Sequence, residues 1–142
     1  MHDPMNLQRF LTLQDPVYSD ALAALRGGTM CTPFMPFIFP RLAGTAAVAG
    51  VDEILILSLD EARAYLAFPV LGGRYRECVE ALTWFSSLNV EDIFGDVESR
   101  HLQASLTLFA EASSEPLLRA MLAIWFAERV DEDTIVRIRP EF

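Results

Sequence analysis

The chain has 142 residues, of which 52% are hydrophobic and 22% charged, and its formal charge is −9. This composition is typical of one globular domain over residues 1–142 with a sizeable core, and it argues against a disordered chain. All 11 basic residues are arginines, so chemistry that needs a lysine amine, such as a Schiff base or a Walker-A phosphate loop, is excluded.

The charge and the residue counts also restrict partners and location. Because the sequence has no basic cluster, we expect neither nucleic-acid binding nor docking on an anionic membrane. No stretch reaches the roughly 20 apolar residues that span a bilayer, and no signal-peptide pattern is present, so we expect a cytoplasmic protein. The two cysteines and two histidines lack metal-ligand spacing, and no metal or cofactor is expected.

The first part of the chain predicts short helices and one irregular region. Asp3-Pro4 is typical of a helix start, and a second helix is predicted after Pro16, ending at the glycine pair 27–28. Residues 33–40 are rich in aromatics and prolines, which leaves room for only a single helical turn. Residues 54–57 are predicted as a short extended segment.

The middle of the chain carries clear helix signals. Ser58 and Glu61 form a capping box, and the helix they open is expected to end before Pro69. A long helix follows with apolar residues at steps of three or four. Asn89 is predicted to cap a single turn that ends at Gly95.

The C-terminal part predicts the centre of the fold. Asp96 caps the next helix, and residues 114–116 open another that is apolar nearly all round up to Trp125. A last short helix is possible from the acidic run 131–133. The prediction is therefore an all-α domain of six to eight helices around a central apolar C-terminal helix.

Short stretches spread along the chain match the motifs of one known family. In chain order they are Asp3-Pro4, Leu7–Phe10, Phe37–Pro40, Ser58–Leu66, Pro69–Gly72, Arg76–Cys78, Ile93–Gly95 and Leu106–Phe109. The protein thus resembles domain of unknown function family 1810, an uncharacterised bacterial family in which some members are labelled calpastatin. The resemblance implies an all-α fold and no established reaction.

The chain departs from that family at polar and tryptophan positions. Pro33–Pro36 replaces a His-Trp-Met-Trp run of the family, and Arg41 follows Phe-Ile-Phe-Pro where relatives have glutamine. Phe68 replaces a histidine, and His101–Gln103 replaces a Lys-Leu-Arg pattern. If those positions form a catalytic site in relatives, this chain lacks that activity or has a shifted specificity; alternatively, they are structural throughout the family.

Candidate binding residues lie in the aromatic run and on the helix that follows Gly95. Arginine recognises carboxylate and phosphate with paired hydrogen bonds, so Arg41 could hold an anionic group beside the phenylalanines. The alternatives are a surface ion pair for Arg41, core packing for the aromatics and a solvated histidine. The residues predicted to bind a ligand are Phe37, Phe39, Arg41, His101, Gln103 and Ser105.

These residues predict a non-catalytic binding module for a small anionic ligand or a partner protein, with no catalytic residue. The alternative is an enzyme of undefined class, in which His101 is the acid or base and Arg41 holds an anionic substrate. That alternative requires the two side chains to share a pocket, with the histidine near a hydroxyl or carboxylate. Self-association through exposed aromatic residues is a third possibility.

Overall fold

The computed structural model describes residues 6–28, 35–43 and 55–138, and these ranges are almost wholly helical. Their eight helices are α1 (Gln8–Gln14), α2 (Tyr18–Arg26), α3 (Met35–Ile38), α4 (Leu59–Ala67), α5 (Pro69–Thr83), α6 (Val90–Ala112), α7 (Pro116–Phe126) and α8 (Glu132–Ile138). The predicted all-α class is confirmed. The Asp3-Pro4 start signal lies outside the described residues, as does part of the aromatic run.

Helix α6 lies deep in the core. It packs against α3, α4, α7 and α8, and every residue from 104 to 110 is buried. The apolar helix α7, which the sequence predicted as the central helix, packs against α5 and α6, buries Met121 and Leu122, and leaves Ile124 53% exposed. Ala104, Ser105 and Ala110 are small, so neighbouring helices can approach α6 closely.

The predicted helix starts at Ser58 and Asn89 are confirmed by capping hydrogen bonds. The Ser58 hydroxyl accepts from the Glu61 amide at 3.1 Å, and the Glu61 carboxylate accepts from the Leu57 amide at 3.0 Å. The Asn89 side chain accepts from the Glu91 amide at 2.8 Å. Gly95 has a φ of 82°, so it bends α6 between a first turn and the long part that begins at Asp96, as predicted.

An aromatic cluster ties the irregular region to α5 and α6. The rings of Tyr75 and Phe109 lie 4.4 Å apart between centroids, and Phe39 packs edge-on against Tyr75 at 5.8 Å. Beyond Phe39, an isolated parallel bridge joins Leu42 to Ile56. This packing holds residues 39–43 against the middle of α6.

The junction between α4 and α5 is unusually close. A Cβ atom on Gly72 would lie 2.1 Å from the carbonyl oxygen of Leu66. The same carbonyl accepts from Arg76, whose guanidinium also makes a two-bond ion pair with Glu115 at 2.7 and 2.8 Å. Only glycine permits this approach of α5 to the end of α4.

Over the described ranges, α6 is the longest helix, and no helix there combines the length and apolarity that a membrane crossing requires.

Candidate functional site

His101 lies on α6 and faces residues 39–41. The side chain is 4% exposed, and its Nε2 atom lies 2.8 Å from the Phe39 carbonyl oxygen. Since a carbonyl can only accept, Nε2 carries the proton and donates it. Burial lowers the pKa of His101 to about 4; the bond to Phe39 opposes this change and the charge of Arg41 adds to it. At pH 7 the imidazole is therefore neutral.

Arg41 stands beside this histidine and is also buried, with 9% of its surface exposed. Its position is set by the backbone, because the Arg41 carbonyl accepts from the Ile56 amide at 2.9 Å and the Ala43 amide donates to the Ile56 carbonyl at 2.8 Å. A buried carboxylate residue, Glu98, occupies α6 three residues before His101, on the same side of the helix. We call Phe39, Arg41 and His101 the loop–helix cluster.

Phe37 and Ser105 belong to the packing around this cluster. The Phe37 carbonyl accepts from the Gln14 side chain at 2.9 Å, and that amide also donates to the Tyr65 hydroxyl at 2.7 Å. The Ser105 hydroxyl is fully buried and lies 3.0 Å from the Tyr75 hydroxyl. Gln14 was missed by the sequence reasoning, because a lone glutamine at a helix end gives no signal of burial.

Gln103 is not brought to the loop–helix cluster. Two residues of α-helix turn the side chain by about 200° relative to His101. The Gln103 amide instead donates to the Arg129 carbonyl at 2.9 Å. Among the six residues predicted to bind a ligand, Gln103 thus lies on the side of α6 that faces away from Phe39.

Gln103 lines a cavity of about 400 Å³ between the long part of α6 and the end of α7. We call it the α6–α7 cavity. Its polar lining includes Asp96, Ser99, Arg100 and Arg129, and its apolar lining includes Leu88, Ile124, Trp125 and Phe126. The sequence reasoning did not assign this site, although Asp96, Ser99, Arg100 and Gln103 have the three- and four-residue spacing of one helix face.

Within the described part of the chain, no three histidine, cysteine, aspartate or glutamate side chains are grouped so that they could hold a metal ion.

The comparisons with known proteins agree with the fold. The model of a family described as "Protein of unknown function (DUF1810)" matches residues 4–138. The crystal structure of the conserved hypothetical protein Rv1873 from Mycobacterium tuberculosis is similar, with a TM-score of 0.90 and 34% identity, over 96% of this chain and 98% of that one. No curated protein matches. With the matched region spanning nearly its whole length, the chain belongs to the DUF1810 family of proteins of unknown function.

Proposed function

We propose that this protein is a cytoplasmic, non-catalytic binding module for a small anionic ligand, which Arg41 binds in the loop–helix cluster. The observation that carries the proposal is the buried guanidinium of Arg41 beside a histidine that stays neutral. Arginine is well suited to hold an anionic group, because its planar guanidinium donates two parallel hydrogen bonds to a carboxylate or a phosphate. A strongly perturbed titratable group next to such a charge is a feature that recurs at functional sites.

The neighbouring residues have supporting roles in this proposal. The Phe39 carbonyl holds the His101 ring in place through the 2.8 Å hydrogen bond, and the fully buried Phe39 ring packs against Tyr75 behind it. Phe37 and Ser105 support this packing through their bonds to Gln14 and Tyr75. Gln103 lies on the other side of α6 and would not contact a ligand at Arg41.

Acid–base catalysis by His101 has less support than binding. With a pKa of about 4, the imidazole has no proton to give up as an imidazolium at pH 7. Its hydrogen bond goes to a backbone carbonyl, whereas the enzyme hypothesis requires a hydroxyl or a carboxylate. Arg41 is near enough for its charge to act on His101, but proximity alone does not supply a proton donor.

A thermal-shift titration with inorganic phosphate, sulfate and citrate tests the proposal. A ligand at one hundred times its Kd adds about 2.7 kcal/mol to the unfolding free energy, which is easily measured. We expect the shift in the wild-type protein and its loss in Arg41→Gln. Arg63→Gln is the matched control, because Arg63 is an exposed arginine paired with Asp60.

One control and two outcomes complete the test. Circular dichroism establishes that Arg41→Gln is folded. Equal shifts in Arg41→Gln and Arg63→Gln would contradict a site at Arg41, and no shift from any anion in the wild type would favour a partner protein instead.

A further inference from the structure

We infer that the surface around Trp84 binds a basic, amphipathic segment of a partner protein. Trp84 is 82% exposed, and Leu88, four residues later, is 52% exposed, although both are large apolar residues. Ile124 on α7 is 53% exposed and borders the α6–α7 cavity together with Leu88. Exposed apolar side chains that lie close together mark interaction sites on many proteins, and tryptophan is enriched among the residues that dominate binding energy.

The charges around Trp84 specify the chemistry of the partner. Residues 77–99 include six acids and no arginine, although the chain has 11 arginines. Three of the six acids are exposed, and their carboxylates form no ion pair with any residue that the structure describes. They are Glu80, Glu91 and Asp92. Unpaired carboxylates beside exposed apolar side chains are complementary to a segment that carries arginine or lysine next to its own apolar residues.

The three acids lie beside the apolar residues. Glu80 precedes Trp84 by one turn of α5, so the two side chains lie on the same side of that helix. Glu91 borders the cavity that Leu88 and Ile124 also border. Asp92 follows Glu91 in the first turn of α6. We call this set the Trp84 surface: Glu80, Trp84, Leu88, Glu91, Asp92 and Ile124.

The turn that carries Trp84 and Leu88 is held in one shape. The Phe85 amide donates to the Leu82 carbonyl, and the Leu88 amide donates to the Phe85 carbonyl, both at 3.0 Å. The Trp125 indole donates to the Leu88 carbonyl at 3.1 Å and so ties the turn to α7. A surface that is ordered before binding loses less conformational entropy when a partner docks on it.

The same charges argue against a second copy of this chain as the occupant. In a two-fold dimer the Trp84 surface would meet itself, so the unpaired carboxylates of one copy would face those of the other. A basic segment meets no such repulsion. In addition, an arginine or lysine of that segment can lie over the face of the Trp84 ring, where the ring attracts a cation.

Titration calorimetry with a short amphipathic peptide of leucine and arginine tests this inference. We expect the wild type to bind it and Trp84→Ala to lose at least about tenfold in affinity, because the indole is the largest apolar contact of the surface. Val136→Ala is the control and keeps full affinity, since it shortens an apolar side chain on α8 that is 63% exposed. The same peptide with glutamate in place of arginine should not bind.

A pair of double variants separates local charge from the net charge of the chain. Glu91→Gln with Asp92→Asn removes two acids of the Trp84 surface and should weaken binding several-fold. Asp20→Asn with Glu132→Gln changes the net charge by the same amount at exposed positions on α2 and α8, and it should leave the affinity unchanged. Circular dichroism establishes that every variant is folded.

Three results would overturn the inference. The first is that the peptide does not bind the wild type or binds Trp84→Ala equally well. The second is an equal loss of affinity in the two double variants, because net charge alone would then hold the peptide. The third is a wild-type dimer by light scattering that becomes a monomer in Trp84→Ala, since a second copy would then be the occupant. Anion binding at Arg41 is measured with other probes, so its failure leaves this inference intact.

Discussion

His101 shows how burial determines the protonation of a single side chain. Its Nε2–H can donate to the Phe39 carbonyl whether the ring is neutral or carries a second proton. The hydrogen bond alone therefore does not exclude an imidazolium. What opposes the second proton is the loss of water around the ring, together with the positive charge of Arg41. The side chain thus acts at pH 7 as a neutral donor to Phe39.

The shifted pKa of His101 predicts a pH-dependent stability. In the unfolded chain histidine has a pKa near 6.5, whereas folding lowers it to about 4. Between these values the unfolded state binds a proton that the folded state does not, so stability falls as pH decreases. By about pH 5 this costs about 2 kcal/mol.

Urea unfolding of the wild type and His101→Gln at about pH 7.5 and about pH 5 measures the effect. Glutamine can still donate to the Phe39 carbonyl but does not titrate. We expect the wild type to lose about 2 kcal/mol more than the variant over this interval. Equal losses would show that His101 does not carry the shifted pKa.

Which residues share a site was only partly predictable at this scale. Phe39, Arg41 and His101 lie near one another in the structure, because Arg41 adjoins the aromatic run and that run packs on a helix. Gln103 was grouped with them although it is two residues from His101, and helical geometry alone separates those side chains. The α6–α7 cavity was missed because a cavity depends on how two helices pack, which has no local sequence signal.

The ends of the helices were the most predictable elements. Capping depends on a few adjacent residues, and the signals at Ser58, Asn89 and Gly95 needed no knowledge of the fold. The end of α7 could not be predicted from such local signals. Ala127 and Glu128 both adopt positive φ, of 53° and 65°, where glycine is the usual residue.

The left-handed turn after α7 predicts a stabilising substitution. Ala127→Gly removes the steric cost of a Cβ at positive φ, and we expect a gain of about 1 kcal/mol in the free energy of unfolding. Ala123→Gly, within α7, is the control and should lose about 1 kcal/mol. Denaturant unfolding measures both. A loss of stability in both variants would show that the turn does not favour glycine.

The α4–α5 junction predicts opposite effects at two neighbouring glycines. Gly72→Ala places a methyl group against the Leu66 backbone, so we expect a loss of about 3 kcal/mol or more. Gly73→Ala meets no atom within 4 Å, and it should gain about 1 kcal/mol from helix propensity. Thermal unfolding compares the two variants. Similar melting temperatures would contradict the close approach of α5 to α4.

At the scale of the whole molecule, the fold class was predictable, but the number of neighbours around each helix was not. Periodicity shows that a segment is helical and which residues are apolar. It does not show how many neighbours a helix has, and the apolar side chains of α7 divide between the core and the wall of a cavity. Helix α6 is less apolar overall, yet the short residues among 104–110 let other helices surround it.

The position of α6 predicts where truncation is costly. Leu106 is fully buried on α6, and Leu106→Ala should lose about 3 kcal/mol by creating a cavity. Ile124→Ala removes a side chain that is 53% exposed on α7, and the loss should be about 1 kcal/mol or less. Chemical denaturation gives both values. Equal losses at the two positions would contradict the difference in burial between Leu106 and Ile124.

The contrast between the two tryptophans has a practical consequence. Trp84 is 82% exposed, whereas the indole of Trp125 stands in the wall of the cavity with its N–H bonded to Leu88. A neutral quencher such as acrylamide would therefore quench mainly the fluorescence of Trp84 and would leave most of the Trp125 fluorescence. In a Trp84→Phe background the protein's intrinsic fluorescence becomes a single-site reporter, able to register an occupant of that wall without any attached dye.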